Sequence, residues 1–144
     1  MGIFGEFRVP PRALALSETF EVESETVVQI DRVVASEMES LTPYFIVSGV
    51  SNAAFEAAAS SDESIDTLQQ ILDSEMGTMY RAMWGDSVES LVQAYTNKGT
   101  SILKARGTAD GWVLRIRFDD HTLIGEFTSH LRDQGFSFDL VRLH

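Results

Sequence analysis

The sequence predicts an α+β fold with two ferredoxin-like halves in tandem, each an antiparallel sheet with two helices on one face. Residues 100–119 predict a β-hairpin, because two strand-like segments flank Asp110-Gly111, which suits a tight turn. The remaining segments complete two consecutive βαββαβ units, with eight strands and four helices. No linker rich in Gly, Ser or Pro separates the units, so we expect them to share an interface.

The second strand of the hairpin shows the period-two alternation of a half-buried strand. Its apolar residues share one face: Trp112, Leu114, Ile116 and Phe118. Arg115 and Arg117 lie on the opposite face. The loop at residues 107–111 contains two glycines, but phosphate-binding loops join a strand to a helix N-terminus. This loop joins two strands, which favours a hairpin turn.

The first half is expected over residues 1–75. Alternating or β-branched segments predict its strands at residues 3–9, 26–34, 43–49 and 65–72. A short helix is expected at residues 12–19, and a polar loop at residues 36–40. Asn52 begins an alanine-rich helix in which Phe55 faces the core.

The second half is expected over residues 76–144. Its strands are predicted at residues 77–84, in the two arms of the hairpin, and at residues 136–143. Asp86, with Glu89 three residues later, predicts a helix that begins with a capping box. Asp120 precedes the fourth helix, and Gly135 suits its C-terminal end.

The composition is acidic. Asp and Glu number 22 against 11 Lys and Arg, which gives a net charge of −11. Such a surface is typical of proteins that work in concentrated salt, where the repulsion is screened, so we interpret the chain as halophilic. The same charge disfavours binding of a phosphate backbone by this chain alone. The sequence has no Cys, no signal peptide and no membrane-length apolar run, which predicts a cytoplasmic protein.

Motifs for catalysis, metals or cofactors do not stand out, so we predict neither enzyme activity nor a metal or cofactor. The histidines, His121, His130 and His144, lack the spacing of a helical metal site. One cluster could line a pliable pocket, although ordinary core packing is the preferred interpretation: Met76, Met79, Tyr80, Met83 and Trp84.

Basic residues concentrate near the hairpin. The candidate anion-binding or interface face consists of Arg81, Lys104, Arg106, Arg115 and Arg117. In the first half, Glu6 and Asp31 occupy comparable outward positions and are candidate docking partners. We favour complementary docking of the two open sheet faces, with an anionic ligand as the alternative.

Three blocks together resemble the N-terminal regulatory region of haloarchaeal bacterio-opsin activator-like transcription regulators. The blocks are EFRVP at residues 6–10 with ALAL at 13–16, GTADGW at 107–112 with LRIRF at 114–118, and GFSFDL at 135–140. The resemblance implies association with a DNA-binding helix-turn-helix, which would be expected to begin after His144. No residue of this sequence matches the DNA-contacting positions of that family.

The resemblance therefore implies a non-enzymatic sensory or oligomerisation domain that binds a small effector, a protein partner or its own copy as a homodimer. DNA binding would occur only through a helix-turn-helix that these residues do not contain. The alternative is a small α+β enzyme, or a stand-alone ligand-binding protein, with a pocket between the two sheets.

Overall fold

The computed structural model describes residues 2–34, 43–96 and 99–144. These residues form one eight-stranded antiparallel sheet with four α-helices and a single 3-10 turn. The predicted α+β class, with eight strands and four helices, is confirmed. The alternating order of strands and helices is compatible with ferredoxin-like halves.

The elements follow the predicted order. The strands are β1 Ile3–Val9, β2 Val27–Val34, β3 Tyr44–Ser48, β4 Ile65–Ser74, β5 Gly77–Trp84, β6 Thr100–Thr108, β7 Gly111–Phe118 and β8 Asp139–Leu143. The helices are α1 Ser17–Val22, α2 Asn52–Ala59, α3 Asp86–Tyr95 and α4 His121–Asp133, and the 3-10 turn spans Pro11–Ala13. The polar loop expected at residues 36–40 lies outside the described residues.

The strand order in the sheet is β4-β5-β3-β2-β6-β7-β1-β8. We call β2, β3, β4 and β5 the first block, and β1, β6, β7 and β8 the second block. The first strand of each predicted half therefore lies among the strands of the other half. Strand β1 pairs with β7 and β8 in the second block, and β5 pairs with β3 and β4 in the first block. The division into residues 1–75 and 76–144 stays a prediction.

The two blocks do not keep separate sheets. The strands β2 and β6 pair through the centre, with Gln29 beside Arg106 and Asp31 beside Lys104. The blocks therefore meet edge to edge within one sheet, and the expected docking of two open faces is corrected to pairing of two strands. A pocket between two sheets, the alternative suggested by the sequence, has no place to form among the described strands.

The chain between β1 and α1 differs from the expected helix at residues 12–19. After the 3-10 turn, Leu16 adopts the left-handed conformation with φ 65°, and α1 begins only at Ser17. Leu14 and Leu16 are nevertheless fully buried, so the apolar residues that suggested a helix fill the core from an irregular segment.

Two further boundaries differ for physical reasons. The last strand begins at Asp139, because Phe136 donates its N–H to the carbonyl of Leu131 (2.9 Å) and so completes the end of α4. Helix α3 has Gly85 at its N-cap, without a side-chain capping bond, so the expected capping role of Asp86 is wrong. Helix α4 is capped by Asp120, which accepts a hydrogen bond from the N–H of Thr122 (2.9 Å).

The segment at residues 10–16, which connects β1 to α1, is anchored by hydrogen bonds from two buried side chains. Trp112 donates its Nε1–H to the carbonyl of Ala15 (2.8 Å), and the Tyr95 hydroxyl donates to the carbonyl of Ala13 (2.7 Å). Both side chains are almost completely buried. These bonds satisfy buried carbonyls in a segment that has no regular secondary structure beyond its 3-10 turn.

Asp62 secures α1 in the first block. Its carboxylate is buried and accepts four hydrogen bonds, from the N–H and hydroxyl of Thr19 and from the N–H and hydroxyl of Ser64, at 2.6–2.9 Å. Ser64 also accepts the N–H of Leu16 (2.9 Å). The N-terminus of α1 is therefore capped by residues far away in the sequence.

Candidate functional site

The sheet has one face that packs against the helices and one that no described helix covers. We call the second the open face. In β1, Phe7 is buried on the covered face, whereas Glu6 and Arg8 lie on the open face. In β7, Leu114 and Arg115 alternate in the same way. The open face is not required to build the core, so its side chains are available for contacts.

Basic side chains concentrate on this open face. The chain has 11 Lys and Arg residues, and all but two, Arg32 and Lys98, have described side chains. Seven of these nine lie on the open face: Arg8, Arg81, Lys104, Arg106, Arg115, Arg117 and Arg142. Acidic residues outnumber basic ones in the chain as a whole. The open face, where basic side chains are in excess, therefore differs in sign of charge from the remainder of the surface.

One row of residues crosses the open face from edge to edge, and we call it the central row. In spatial order it contains Gln69, Arg81, Tyr44, Asp31, Lys104, Arg115, Glu6 and Arg142. Asp31 stands opposite Tyr44 by continuation of the β2–β3 register. Neighbours in such a row are close enough for side chains to interact.

A shallow cavity of ≈ 370 Å³ opens on the second block and at its boundary with β2. Its charged or polar lining residues are Glu6, Gln29, Asp31, Lys104, Arg106 and Arg115. They come from four adjacent strands, so the register of the sheet sets their spacing. The structure thus brings together three of the five predicted basic site residues and both predicted acidic ones.

The charges of the cavity are only partly paired. Lys104 Nζ lies 3.8 Å from Asp31 Oδ1, and both side chains are more than 60% exposed. Arg115 lies over the Phe4 ring, 6.0 Å from its centroid. Within the described part of the chain, neither Arg106 nor Arg115 forms an ion pair. An exposed pair such as Lys104–Asp31 stabilises the fold by only about 0–1 kcal/mol. Folding therefore does not account for the presence of Lys104, Arg106 and Arg115 at this cavity.

The other two predicted basic residues lie apart from the cavity. Arg117 is on the open face beyond Arg115 and pairs with Asp119. Arg81 is in the first block, beside Tyr44 and Gln69. The sequence analysis did not include Arg8 or Arg142, although alternation along β1 would have identified Arg8.

The open face of the first block is more apolar. Its exposed or half-buried apolar side chains are Tyr44, Ile46, Leu72, Met79 and Met83. Met76 lies near the β4–β5 turn and is 82% exposed. The interpretation of the methionines as core is therefore wrong for Met76 and Met83, whereas Tyr80 and Trp84 are buried in the core.

A second cavity, of ≈ 390 Å³, lies between α2 and β4 on the covered side. The Tyr80 hydroxyl donates a hydrogen bond to Glu56 Oε2 (3.0 Å) at its wall. Burial, followed by this hydrogen bond, raises the pKa of Tyr80 above its ordinary value. The phenol therefore stays protonated and acts as a hydrogen-bond donor at this wall.

Comparison with known proteins supplies the family. The model of the BAT family, described as "GAF and HTH_10 associated domain", matches residues 6–144. The chain belongs to this family. No curated protein and no solved structure matches it.

Membership of the BAT family confirms the resemblance to bacterio-opsin activator-like regulators that the sequence showed. The chain is a regulatory domain of the kind associated with helix-turn-helix transcription regulators. In the described ranges, no helix is long and apolar enough to cross a membrane.

Proposed function

We propose that this BAT domain is a non-enzymatic, cytoplasmic sensor that binds a small organic anion in the cavity of the second block. The observation that supports it best is the convergence of Lys104, Arg106 and Arg115 on one cavity in a chain of net charge −11. A helix-turn-helix elsewhere in the regulator would contact the DNA.

The chemistry of the lining indicates which anion fits. The guanidinium groups of Arg106 and Arg115 present planar donors that suit a carboxylate or a phosphate. Glu6 on one side of these cations and Gln29 and Asp31 on the other add acceptors, so a ligand with hydroxyl or ammonium donors as well as an anionic group matches better than a bare anion. The volume of ≈ 370 Å³ suits a metabolite-sized ligand.

The halophilic setting sharpens this proposal. At about 1 M salt the screening length falls to about 3 Å, so long-range attraction of an anion is lost. Binding must then rest on direct hydrogen bonds and on the apolar floor beside Val113 and Ala105. We therefore expect a ligand that combines an anionic group with an apolar or hydroxylated body.

The proposal can be tested by titrating the domain with a panel of small carboxylates, amino acids and phosphate esters in molar KCl. The readouts are melting temperature and isothermal calorimetry. We expect one class to raise the melting temperature in a saturable way. Arg106→Gln combined with Arg115→Gln should abolish that shift, whereas the matched change Arg132→Gln on α4 should leave it intact. A shift that survives the double substitution contradicts this site.

A further inference from the structure

The charges of the central row are complementary to the same row read in the opposite direction. From the β4 edge the row reads Gln69, Arg81, Tyr44, Asp31, and from the β8 edge it reads Arg142, Glu6, Arg115, Lys104. Position by position, the two readings pair an amide with Arg, Arg with Glu, Tyr with Arg and Asp with Lys. Each combination is attractive.

We propose that the open face binds a second copy of this chain, face to face, about a two-fold axis that runs parallel to the strands between β2 and β6. Such an axis sets β2 against β6 of the partner copy and β3 against β7. It therefore places each Asp31 opposite a Lys104, and each Tyr44 opposite an Arg115. A two-fold interface must be self-complementary in this way.

The next row across the face supports the same axis. Gln29 pairs with Arg106 across the central strands, and Ile46 and Val113 occupy corresponding positions on either side. The axis would place Gln29 opposite Arg106 and Ile46 opposite Val113. Ile46, which is partly exposed, would thus meet an apolar side chain rather than water.

The charges also disfavour a perpendicular axis through the central row. A two-fold axis perpendicular to the strands and passing through this row would set each of its members against its own counterpart. Arg115 would then face Arg115, and Glu6 would face Glu6, and like charges in direct opposition are destabilising. Of these two axes, only the one along the strands converts the order of charges in the row into attraction.

The open face is large enough for a stable dimer. Eight strands about 4.8 Å apart span about 38 Å, and about six paired residues along each strand extend about 20 Å. The face therefore measures about 800 Å², close to the roughly 800 Å² that each partner of a standard-size interface buries. Packed sheets cross at about 30°, which displaces the outer pairs more than the Asp31–Lys104 pair beside the axis.

This dimer forms without an effector and covers the cavity of the second block, so an anion bound in that cavity would compete with it. The test therefore uses the chain without added ligand and reads only its mass. The variants are Asp31→Lys and Lys104→Asp, whose residues lie nearest the axis and are both well exposed. Each variant would place two like-charge pairs across the interface.

Equilibrium sedimentation, in the KCl concentration that gives the highest melting temperature, should show a dimer for the unchanged chain. Each variant alone should raise the dimer dissociation constant at least about tenfold, which is equivalent to about 1.4 kcal/mol. An equimolar mixture of the two variants should recover a dimer, because a dimer that contains one copy of each variant has opposite charges at both contacts. The charge changes Glu126→Lys and Arg132→Asp on α4 should leave the dimer unchanged.

The mixture separates contact between copies from an effect within one chain. Asp31 and Lys104 also neighbour each other in their own sheet, and mixing cannot repair that pair. A monomer at all concentrations for the unchanged chain overturns the proposal. Dimers that are insensitive to both variants, or variants that stay monomeric when mixed, overturn it as well.

Discussion

The two blocks of the sheet are alike on the covered face and different on the open face. Each block packs aromatic side chains under its helices, with Phe45, Phe55 and Tyr80 in the first block and Phe7, Phe118 and Phe127 in the second. On the open face the first block is largely apolar, whereas the second carries Arg106 and Arg115. Folding accounts for what the blocks share. The difference between their open faces points to binding.

If the covered face folds the chain, the largest losses of stability should come from the buried contacts behind that face. Asp62→Ala removes a carboxylate that accepts four hydrogen bonds and leaves the Thr19 groups without partners. We expect the free energy of unfolding to fall by about 2–4 kcal/mol. Denaturant melts against the matched change at exposed Asp66 test this. Equal losses at Asp62 and Asp66 would contradict the role given to Asp62.

A pair of tyrosines gives a direct comparison of the two faces. Tyr95→Phe removes a buried hydroxyl that donates to the Ala13 carbonyl, and should cost about 1–2 kcal/mol. Tyr44→Phe removes a hydroxyl from the open face, where the residue is 47% exposed, and should leave monomer stability nearly unchanged. Thermal melts of both variants provide the measurement. A larger loss for Tyr44→Phe would reverse the assignment of the two faces.

Salt should affect the acidic surface as a whole. The screening length falls from about 10 Å at 0.1 M salt to about 3 Å at 1 M, which weakens repulsion among surface carboxylates. With a net charge of −11, the chain should melt at a higher temperature in molar KCl than in dilute buffer. Equal melting temperatures in the two buffers would argue against the halophilic interpretation.

The smallest effect is expected at the α4 cap. Hydrogen bonds from the side chain and N–H of Thr122 lower the pKa of Asp120. A carboxylate with a lowered folded pKa stabilises fully above its unfolded pKa of about 3.9, and that contribution is lost as the pH falls through the folded value. Asp120→Ala should therefore lower the melting temperature slightly at pH 7, by an amount that shrinks in acid. Melts from pH 7 to pH 3 measure it, and a difference independent of pH would contradict the cap.

The sequence predicted the elements well because side-chain periodicity reports which face of a strand is buried. The alternation in β1 and β7 assigned Glu6 and Arg115 to their observed face. Periodicity does not determine which strands are neighbours. The pairing of β1 with β7 joins residues more than a hundred positions apart, and no local pattern reports it.

The same limit explains the outcome for the site. Arg115 and Arg117 share a face in the sequence, but only the register shows that Arg115 joins Arg106 at one cavity while Arg117 pairs with Asp119. Glu6 was expected to approach Arg115 across an interface between sheets. It instead lies beside Arg115 on the adjacent strand. Their proposed roles as ligand-binding residues stay predictions.

Folding is assigned to one face of the sheet and binding to the other, and the most direct test of this assignment is a reporter assay of the proposed helix-turn-helix regulator carrying this domain. The domain would carry Arg106→Gln and Arg115→Gln together, and its melting temperature would be measured in parallel. We expect the melting temperature to change less than with Tyr95→Phe and the regulated response to be lost. A normal response, or a melting temperature lowered as much as by Tyr95→Phe, would contradict the account.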